Sequence, residues 1–167
     1  TVIRNAASME MNGLELELMY QVTEAWDLMV TYGYLEAEYK DYLADLTGDG
    51  VITDNSGLIP RNTPENTFGI TTSYTTQVGD GELKGRISYR FRDEMNSDSS
   101  NNPYGDLDSI ENLNATINYS IDNYSITIWG RNLTDEREQR WATIGGLTSR
   151  GWWNEPQTLG ITFSASY

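Results

Sequence analysis

The chain has 167 residues, a net charge of −14 at pH 7, no cysteine and no histidine. Disulfides, thiolate metal sites, cysteine nucleophiles and histidine-based catalysis cannot be built from these residues, so we expect no enzymatic activity. The acidic balance argues against a nucleic-acid partner, because phosphates are held by basic surfaces, and no run approaches the roughly 18 apolar residues of a membrane helix.

Seven segments alternate apolar and polar residues with a period of two, and this pattern predicts β-strands. They begin near residues 13, 26, 67, 83, 113, 124 and 158. The first reads "GLELELMYQV", in which leucines and Tyr20 alternate with glutamates. The last reads "QTLGITFSASY" and alternates as far as the aromatic Tyr167. No segment keeps a helical period over a comparable length, so we expect an all-β fold.

The connections between these strands alternate in length. Three are short and contain residues that suit tight turns, at 23–25, 79–81 and 122–123. Three are polar and far longer than the usual hairpin loop, at about 37–66, 93–112 and 132–157. Short turns at one end and long loops at the other predict an antiparallel up-and-down sheet, as in outer-membrane barrels. A soluble β-sandwich or lipocalin-like barrel is the alternative, since its strands also alternate.

The charged residues of the strands share one face, opposite the apolar residues. That face carries Glu15, Glu17, Asp27, Lys84, Arg86, Arg90 and Arg131. On the apolar face, aromatic residues gather toward both strand ends, around a middle of Leu, Ile, Val, Ala and Thr. Two aromatic girdles around an aliphatic band are typical of a transmembrane β-barrel, whose charged face lines a wet lumen. We therefore expect this chain to form the wall of such a barrel.

Several stretches resemble the late barrel strands of TonB-dependent outer-membrane receptors. They are "NGLELELMYQVTEAWDLMVTYGYLEAEYKDY", "LIPRNTPENTFGITTSYT", "YRFRDE" and "NYSITIWGRNLTDERE". The strongest is "WGRNLTDE", followed by a long loop and a final alternating strand with a terminal aromatic residue. Family members more often end in Phe, so Tyr167 departs mildly from the pattern. The resemblance covers nearly the whole chain.

The resemblance implies a barrel of about 22 strands with an amino-terminal plug. Residues 1–167 would then be the carboxy-terminal segment of that barrel, with seven strands and without the plug. The runner-up is a complete eight-stranded barrel in which residues 1–12 contribute to an extra strand. The implied location is the bacterial outer membrane, and the implied partners are its lipid, the plug and the remaining strands.

The same resemblance implies active transport. External loops and the plug would capture a scarce ligand, and the TonB complex, acting through the plug, would drive its passage through the lumen. The ligand stays open among siderophores, cobalamin, glycans and peptides, so the partner is a small-molecule or oligomeric ligand. The alternatives are a passive porin or a small structural outer-membrane barrel.

The stretch "DLTGDGVITDNSG" suggests a calcium site. Asp45, Thr47 and Asp49 stand at positions 1, 3 and 5 of an EF-hand-like loop, with Gly50 at position 6. Position 12 is a serine rather than a bidentate acid, although Asp54 could partly substitute. The alternative is an acidic, glycine-rich external loop without metal. We expect no other cofactor.

The last long loop contains the stretch "QRWATIGGLTSRGWWNEP". Trp141, Trp152 and Trp153, close in sequence to Arg150, could stack on an aromatic, glycan or chelate ligand at the outer mouth. The alternative is that these residues pack the loops together or join the upper aromatic girdle.

A basic stripe runs along the fourth strand. Lys84, Arg86, Arg90 and Arg92 share its inner face, and Arg131 has the same orientation two strands later. The stripe could attract anionic substrates. Because charges lining a barrel need partners, the favoured interpretation is pairing with acids of the plug or of neighbouring strands.

Overall fold

A computed structural model describes residues 8–137, 139–145 and 148–167, and the side chains of 140–149 are not among the described ones. Seven long strands follow in chain order: β1 (Ser8–Thr23), β2 (Trp26–Asp41), β3 (Asn66–Val78), β4 (Gly81–Arg92), β5 (Ile110–Ile121), β6 (Tyr124–Arg131) and β7 (Thr158–Ala165). Each pairs antiparallel with the next, in one open up-and-down sheet. The predicted all-β architecture with seven strands is confirmed.

Tight turns join the strands at one end of the sheet. They occupy 24–25, 79–80 and 122–123, where the sequence analysis predicts short connections. Gly79 and Asp122 adopt positive φ angles of 62° and 50°. Glycine takes this conformation without steric cost and aspartate tolerates it, which explains why these residue types occur there.

The long loops at the other end contain short strands that the sequence analysis missed. The first loop pairs Leu43–Ala44 with Thr53–Asp54, and the second pairs Met95–Asn96 with Asp106–Leu107. The third loop forms a longer hairpin, called here the third-loop hairpin, from Gln139–Gly145 and Thr148–Trp153. These segments lack apolar–polar contrast, so periodicity could not reveal them. In the described ranges, no helix is long and apolar enough to cross a membrane.

The register gathers the apolar residues on one continuous face. Across the middle, Leu18 lies opposite Val30, which lies opposite Ile70. Further along the sheet, Ile128 lies between Ile117 and Ile161. Because partners in an antiparallel pair point to the same side, an apolar stripe crosses the whole sheet. On β1 this stripe runs from Leu14 to Val22, close to the roughly 9–11 residues that a transmembrane strand needs.

Among the described residues, no second layer covers the apolar face of the sheet. Ile117, Ile128 and Phe163 are 54%, 53% and 77% exposed on the apolar face. In the part of the chain that the structure describes, the buried hydrophobic residues are Tyr42 and Leu107, and both lie at the loop end. A soluble sandwich buries its apolar face against a second sheet. No described element does so here, and the soluble alternative loses its support.

Aromatic residues close the apolar face at both ends. Trp26 lies opposite Tyr74 near the short turns, and the Trp26 indole donates a hydrogen bond to Thr72 Oγ1 at 2.6 Å. Toward the loops, the rings of Phe68 and Tyr89 lie 6.3 Å apart between centroids. The aliphatic stripe therefore lies between two rows of aromatic residues, as the sequence predicts.

Candidate functional site

The inward face of the sheet borders a concave space of about 890 Å³. Strand β1 contributes Glu15 and Glu17 to its lining, and strand β4 contributes Arg90. Carboxylates therefore stand on one side and a guanidinium on the other, with β2 and β3 between them. A concave surface with charges of both signs can hold a polar occupant by complementary charge.

Two glycines leave room for threonine hydroxyls on the strand surface that borders this space. A Cβ atom at Gly33 would lie 2.7 Å from Thr67 Oγ1, and one at Gly69 would lie 2.6 Å from Thr31 Oγ1. In each case the glycine is the direct cross-strand partner of the threonine. A side chain at either glycine would therefore displace a hydroxyl from that surface.

Strand β4 places Lys84, Arg86 and Arg90 on the face opposite the apolar residues, and their predicted position in a lumen stays a prediction. Their cross-strand neighbours are all uncharged, namely Thr75, Ser73 and Gly69 on β3 and Asn118, Thr116 and Asn112 on β5. Within the described ranges, none of the three cations forms an ion pair. The pairing expected with neighbouring strands is therefore not found in that part of the chain. Pairing with acids of a plug stays a prediction.

Arg131 lies at the loop end of β6 beside an inward-facing tryptophan. Its guanidinium carbon is 5.1 Å from the centre of the Trp129 ring, within cation–π distance. The same ring lies against Gly160 of β7, where a Cβ atom would be 2.2 Å from Trp129 Cζ2. The indole N–H donates to Thr162 Oγ1 at 3.1 Å. Alternation alone does not single out Trp129, because the fit of its ring to Gly160 depends on the β6–β7 register.

Asp45, the first predicted calcium ligand, accepts hydrogen bonds from its own loop. Its oxygens receive the amides of Gly48 at 2.6 Å and Gly50 at 2.8 Å, and the Thr47 hydroxyl at 3.3 Å. The backbone hydrogen bond from Gly50 is the largest cause that lowers the pKa of Asp45 below its usual value. The carboxylate therefore stabilises a glycine-containing turn, in which Gly48 and Gly50 both have positive φ.

The other predicted calcium ligands are engaged in the same way. Asp49 accepts from the Val51 amide, and Asp54 accepts from the amide and hydroxyl of Ser56. Across the described residues, no group of three or more potential metal-ligating side chains could hold a metal ion. Calcium binding at 45–56 stays a prediction.

The predicted ligand-contact residues lie on the third-loop hairpin. Trp152 and Trp153 are 72% and 63% exposed on its returning strand, and Arg150 is exposed two residues earlier. The backbone of Trp152 lies opposite that of Trp141, whose side chain lies outside the described part of the structure. Three of the four predicted residues are thus brought together on one short strand at the loop end.

The first and second external loops are tied to each other. Asn101 Oδ1 accepts from the Ile59 amide at 2.7 Å, and Asn101 Nδ2 donates to the Ile59 carbonyl at 2.8 Å. The Asn62 amide donates to the Asn96 carbonyl at 2.8 Å. A space of about 790 Å³ borders both loops and β2, and its acidic lining residues are Glu36, Glu65, Asp93, Glu94, Asp106 and Asp108. Sequence reasoning missed this link, which joins residues that are distant in the chain.

Comparison with solved structures finds the same fold in three receptors. The ferric yersiniabactin uptake receptor FyuA from Yersinia pestis matches with a TM-score of 0.81 and 17% identity, over 98% of this chain and 24% of that chain. The siderophore receptor PiuA from Acinetobacter baumannii matches with a TM-score of 0.76 and 20% identity, over 95% and 22%. The ferric-catecholate import receptor Fiu from K12 E. coli matches with a TM-score of 0.70 and 21% identity, over 94% and 21%.

This chain therefore spans no more than about a quarter of the length of each of those receptors. At such low identity the likeness establishes the fold alone. The sequence comparison goes further, because the family described as "TonB dependent receptor-like, beta-barrel" matches residues 1–133, most of the chain. Together with the open antiparallel sheet and its two unlike faces, this match establishes that the chain belongs to the TonB-dependent receptor-like β-barrel family.

Proposed function

We propose that this chain forms a wall segment of a bacterial outer-membrane receptor for TonB-coupled uptake of a scarce ligand. The observation that carries the proposal is the pair of unlike, uncovered faces. One is apolar with aromatic ends, and the other borders a concave space lined by Glu15, Glu17 and Arg90. Lipid is the partner that suits the first face, and a wet lumen suits the second.

We infer that the ligand is a ferric siderophore, ahead of cobalamin, glycans or peptides. The three receptors with the same fold are named for siderophores or ferric complexes. In this chain, Lys84, Arg86 and Arg90 add positive charge to the inward face with uncharged cross-strand neighbours. A positive stripe suits an anionic chelate or acidic plug residues. Transport of this kind requires no bond chemistry, and we expect no enzymatic activity.

The remaining strands and the plug are the partners that we expect within the same receptor. In the described sheet, β1 and β7 each have one neighbour. An unpaired strand edge cannot face hydrocarbon, because its N–H and C=O groups would lack partners. The other strands would close the barrel, and the TonB complex would act through the plug.

An uptake experiment in the native bacterium tests the proposal. Cells with and without the intact receptor would be given a ferric catecholate, a ferric hydroxamate or cobalamin, with and without a protonophore. We expect receptor-dependent uptake of a ferric siderophore that the protonophore abolishes. Receptor-dependent passage of small uncharged solutes that the protonophore does not affect would instead identify a passive porin.

The role of the third-loop hairpin is tested by binding of the transported chelate to purified receptor. We expect Trp152→Ala or Trp153→Ala to weaken binding on the order of tenfold, because exposed tryptophans are frequent binding hot spots. Tyr104→Ala is the matched control, since Tyr104 is 71% exposed in the second loop. Unchanged affinity in both tryptophan variants would remove these residues from the ligand site.

A further inference from the structure

A buried asparagine lies at the base of the third external loop. Asn132 is only 4% exposed and has a φ angle of 48°, in the left-handed region. It follows the last residue of β6, within the stretch "NLTDE". Asparagine tolerates left-handed backbone better than most residues, but a buried amide side chain also needs hydrogen-bond partners.

The Asn132 side chain connects the two ends of the loop. Its Nδ2 donates to the carbonyl of Glu136, where the chain leaves the sheet, and to the carbonyl of Glu155, where the chain returns, both at 3.0 Å. Its Oδ1 accepts from the Thr134 hydroxyl at 3.2 Å. Both donors of the amide and one acceptor site are therefore used.

The turn around Asn132 is fixed to the barrel wall. The Asn132 amide donates to Asn114 Oδ1 at 3.0 Å, and the Leu133 amide donates to the Leu113 carbonyl at 2.8 Å. The Glu111 amide donates to Glu136 Oε2 at 3.0 Å. All three hydrogen bonds lead to β5, so the two loop ends that Asn132 connects are fixed against a strand of the sheet.

The segment held in this way is the third-loop hairpin with its exposed Trp152 and Trp153. Hydrogen bonds that hold both ends of this loop reduce the number of arrangements that its two paired strands can take relative to the sheet. The Asn154 side chain donates to the same Glu136 carbonyl at 2.9 Å and strengthens the junction.

We propose that Asn132 is a positioning residue for ligand capture, which acts by fixing the base of the third-loop hairpin and so placing Trp152 and Trp153. The inference rests on the proposed function of these tryptophans. Position 132 requires a residue that tolerates left-handed backbone and that also supplies two side-chain N–H donors, because the carbonyls of Glu136 and Glu155 must both be bonded. Aspartate supplies no donor, and glycine supplies no side chain.

The proposal is tested by measuring the position of the hairpin in the intact receptor. Spin labels at Arg150→Cys on the hairpin and Glu24→Cys in the opposite turn report the distance between them; the chain has no other cysteine. We expect a narrow distance distribution in the unaltered background and its loss in Asn132→Gly. Asn62→Gly is the matched control, because Asn62 also has positive φ, at 58°, and its described hydrogen bond comes from the backbone amide.

Two further measurements make the outcome decisive. Asn132→Asp keeps a side-chain acceptor and tolerates the backbone, and we expect it to lose the narrow distribution as Asn132→Gly does. Binding of a ferric catecholate, without spin labels, should weaken roughly tenfold in both Asn132 variants, the effect of losing one or two hydrogen bonds that order the site. Heat-dependent gel migration, which reports barrel assembly, should be unchanged.

Three results would overturn the proposal. They are a narrow distribution that persists in Asn132→Gly, an equal broadening in Asn62→Gly, and failure of Asn132→Gly to assemble while Asn62→Gly assembles. The distance measurement needs no ligand, so it separates this proposal from the proposed function. Asn132→Gly could broaden the distance distribution while Trp152→Ala and Trp153→Ala leave ligand binding unchanged. Asn132 would then still fix the base of the hairpin, but the tryptophans would not contact the ligand. That result would reject a role of Asn132 in ligand capture.

Discussion

The outward and inward faces of the sheet are built from alternate residues of the same strands, yet they impose different demands. Outward positions such as Ile117 and Ile128 are about half exposed, and on the proposed function they need only to be apolar to face lipid. Inward positions are fitted pair by pair, as in Trp129 over Gly160 or Thr31 beside Gly69. The outward face therefore restricts the polarity of its side chains, and the inward face restricts their size and shape.

The strongest test of this difference is a charge placed on either face of β3. Ile70→Arg puts a guanidinium at the level of Leu18 and Val30, in the middle of the apolar stripe. We expect the barrel to be destabilised by about 2–4 kcal/mol, the cost of arginine near the midplane of a bilayer. Urea unfolding of the intact receptor in lipid vesicles measures this cost.

Thr71→Arg is the matched control on the next residue. Thr71 points inward between Met29 and Ser88, neither of which is charged. We expect a change within about 0.5 kcal/mol, as for ordinary surface substitutions. Equal destabilisation by both arginines would mean that the two faces meet similar environments, and the distinction between them would fail.

A smaller effect is expected from adding one methyl group to the fitted face. Gly160→Ala would place Cβ against the Trp129 ring, whereas a Cβ atom at Gly85, on the outward face, would have no atom within 4 Å. We expect Gly160→Ala to cost about 1–3 kcal/mol by overpacking and to change the Trp129 fluorescence. Gly85→Ala should be neutral or slightly stabilising. The reverse order would contradict the pairwise fit of the inward face.

The smallest effect concerns the acidic turn at Asp45, outside the wall. Hydrogen bonding, chiefly from Gly50, lowers the pKa of Asp45 below its ordinary value of 3.8. A lowered pKa means that the turn is fully stabilised above pH 3.8 and loses this contribution as the pH falls through the lower folded value.

Amide exchange at Gly50, corrected for its intrinsic rate, follows this loss. We expect protection near neutral pH that weakens only under strong acid, while the sheet amides stay protected. Protection at Gly50 that is independent of pH, or that appears only when calcium is added, would reject the hydrogen-bonded turn as the reason for this acidic loop.

The wall could be predicted from the sequence because each strand carries its own signal. The alternation in "LNATINYSI", for example, depends on local contrast between apolar and polar residues, and it identified β5 and its two faces. The turn at Asp122 was equally local, because its residue type suits a positive φ. Such features can be recognised without knowing which residues are the cross-strand partners.

The fitted contacts could not be predicted, because they depend on register and on distant partners. Trp129 meets Gly160 only through the β6–β7 pairing, and Asn132 bridges two carbonyls that are 19 positions apart in the chain, at 136 and 155. The predicted calcium loop had suitable residues at suitable spacing. Spacing does not reveal that the Asp45 carboxylate accepts the Gly48 and Gly50 amides, and calcium binding there stays a prediction.

The most direct test of the central claim is a spin-label scan along β3 in the intact receptor in lipid vesicles. Single cysteines at residues 68–75 would be labelled, and relaxation by oxygen, which enriches in lipid, would be compared with relaxation by a water-soluble nickel chelate. The account predicts a period of two, with oxygen favoured at Phe68, Ile70, Thr72 and Tyr74 and nickel favoured at the residues between them. Equal access along the whole strand, or the opposite phase, would contradict it.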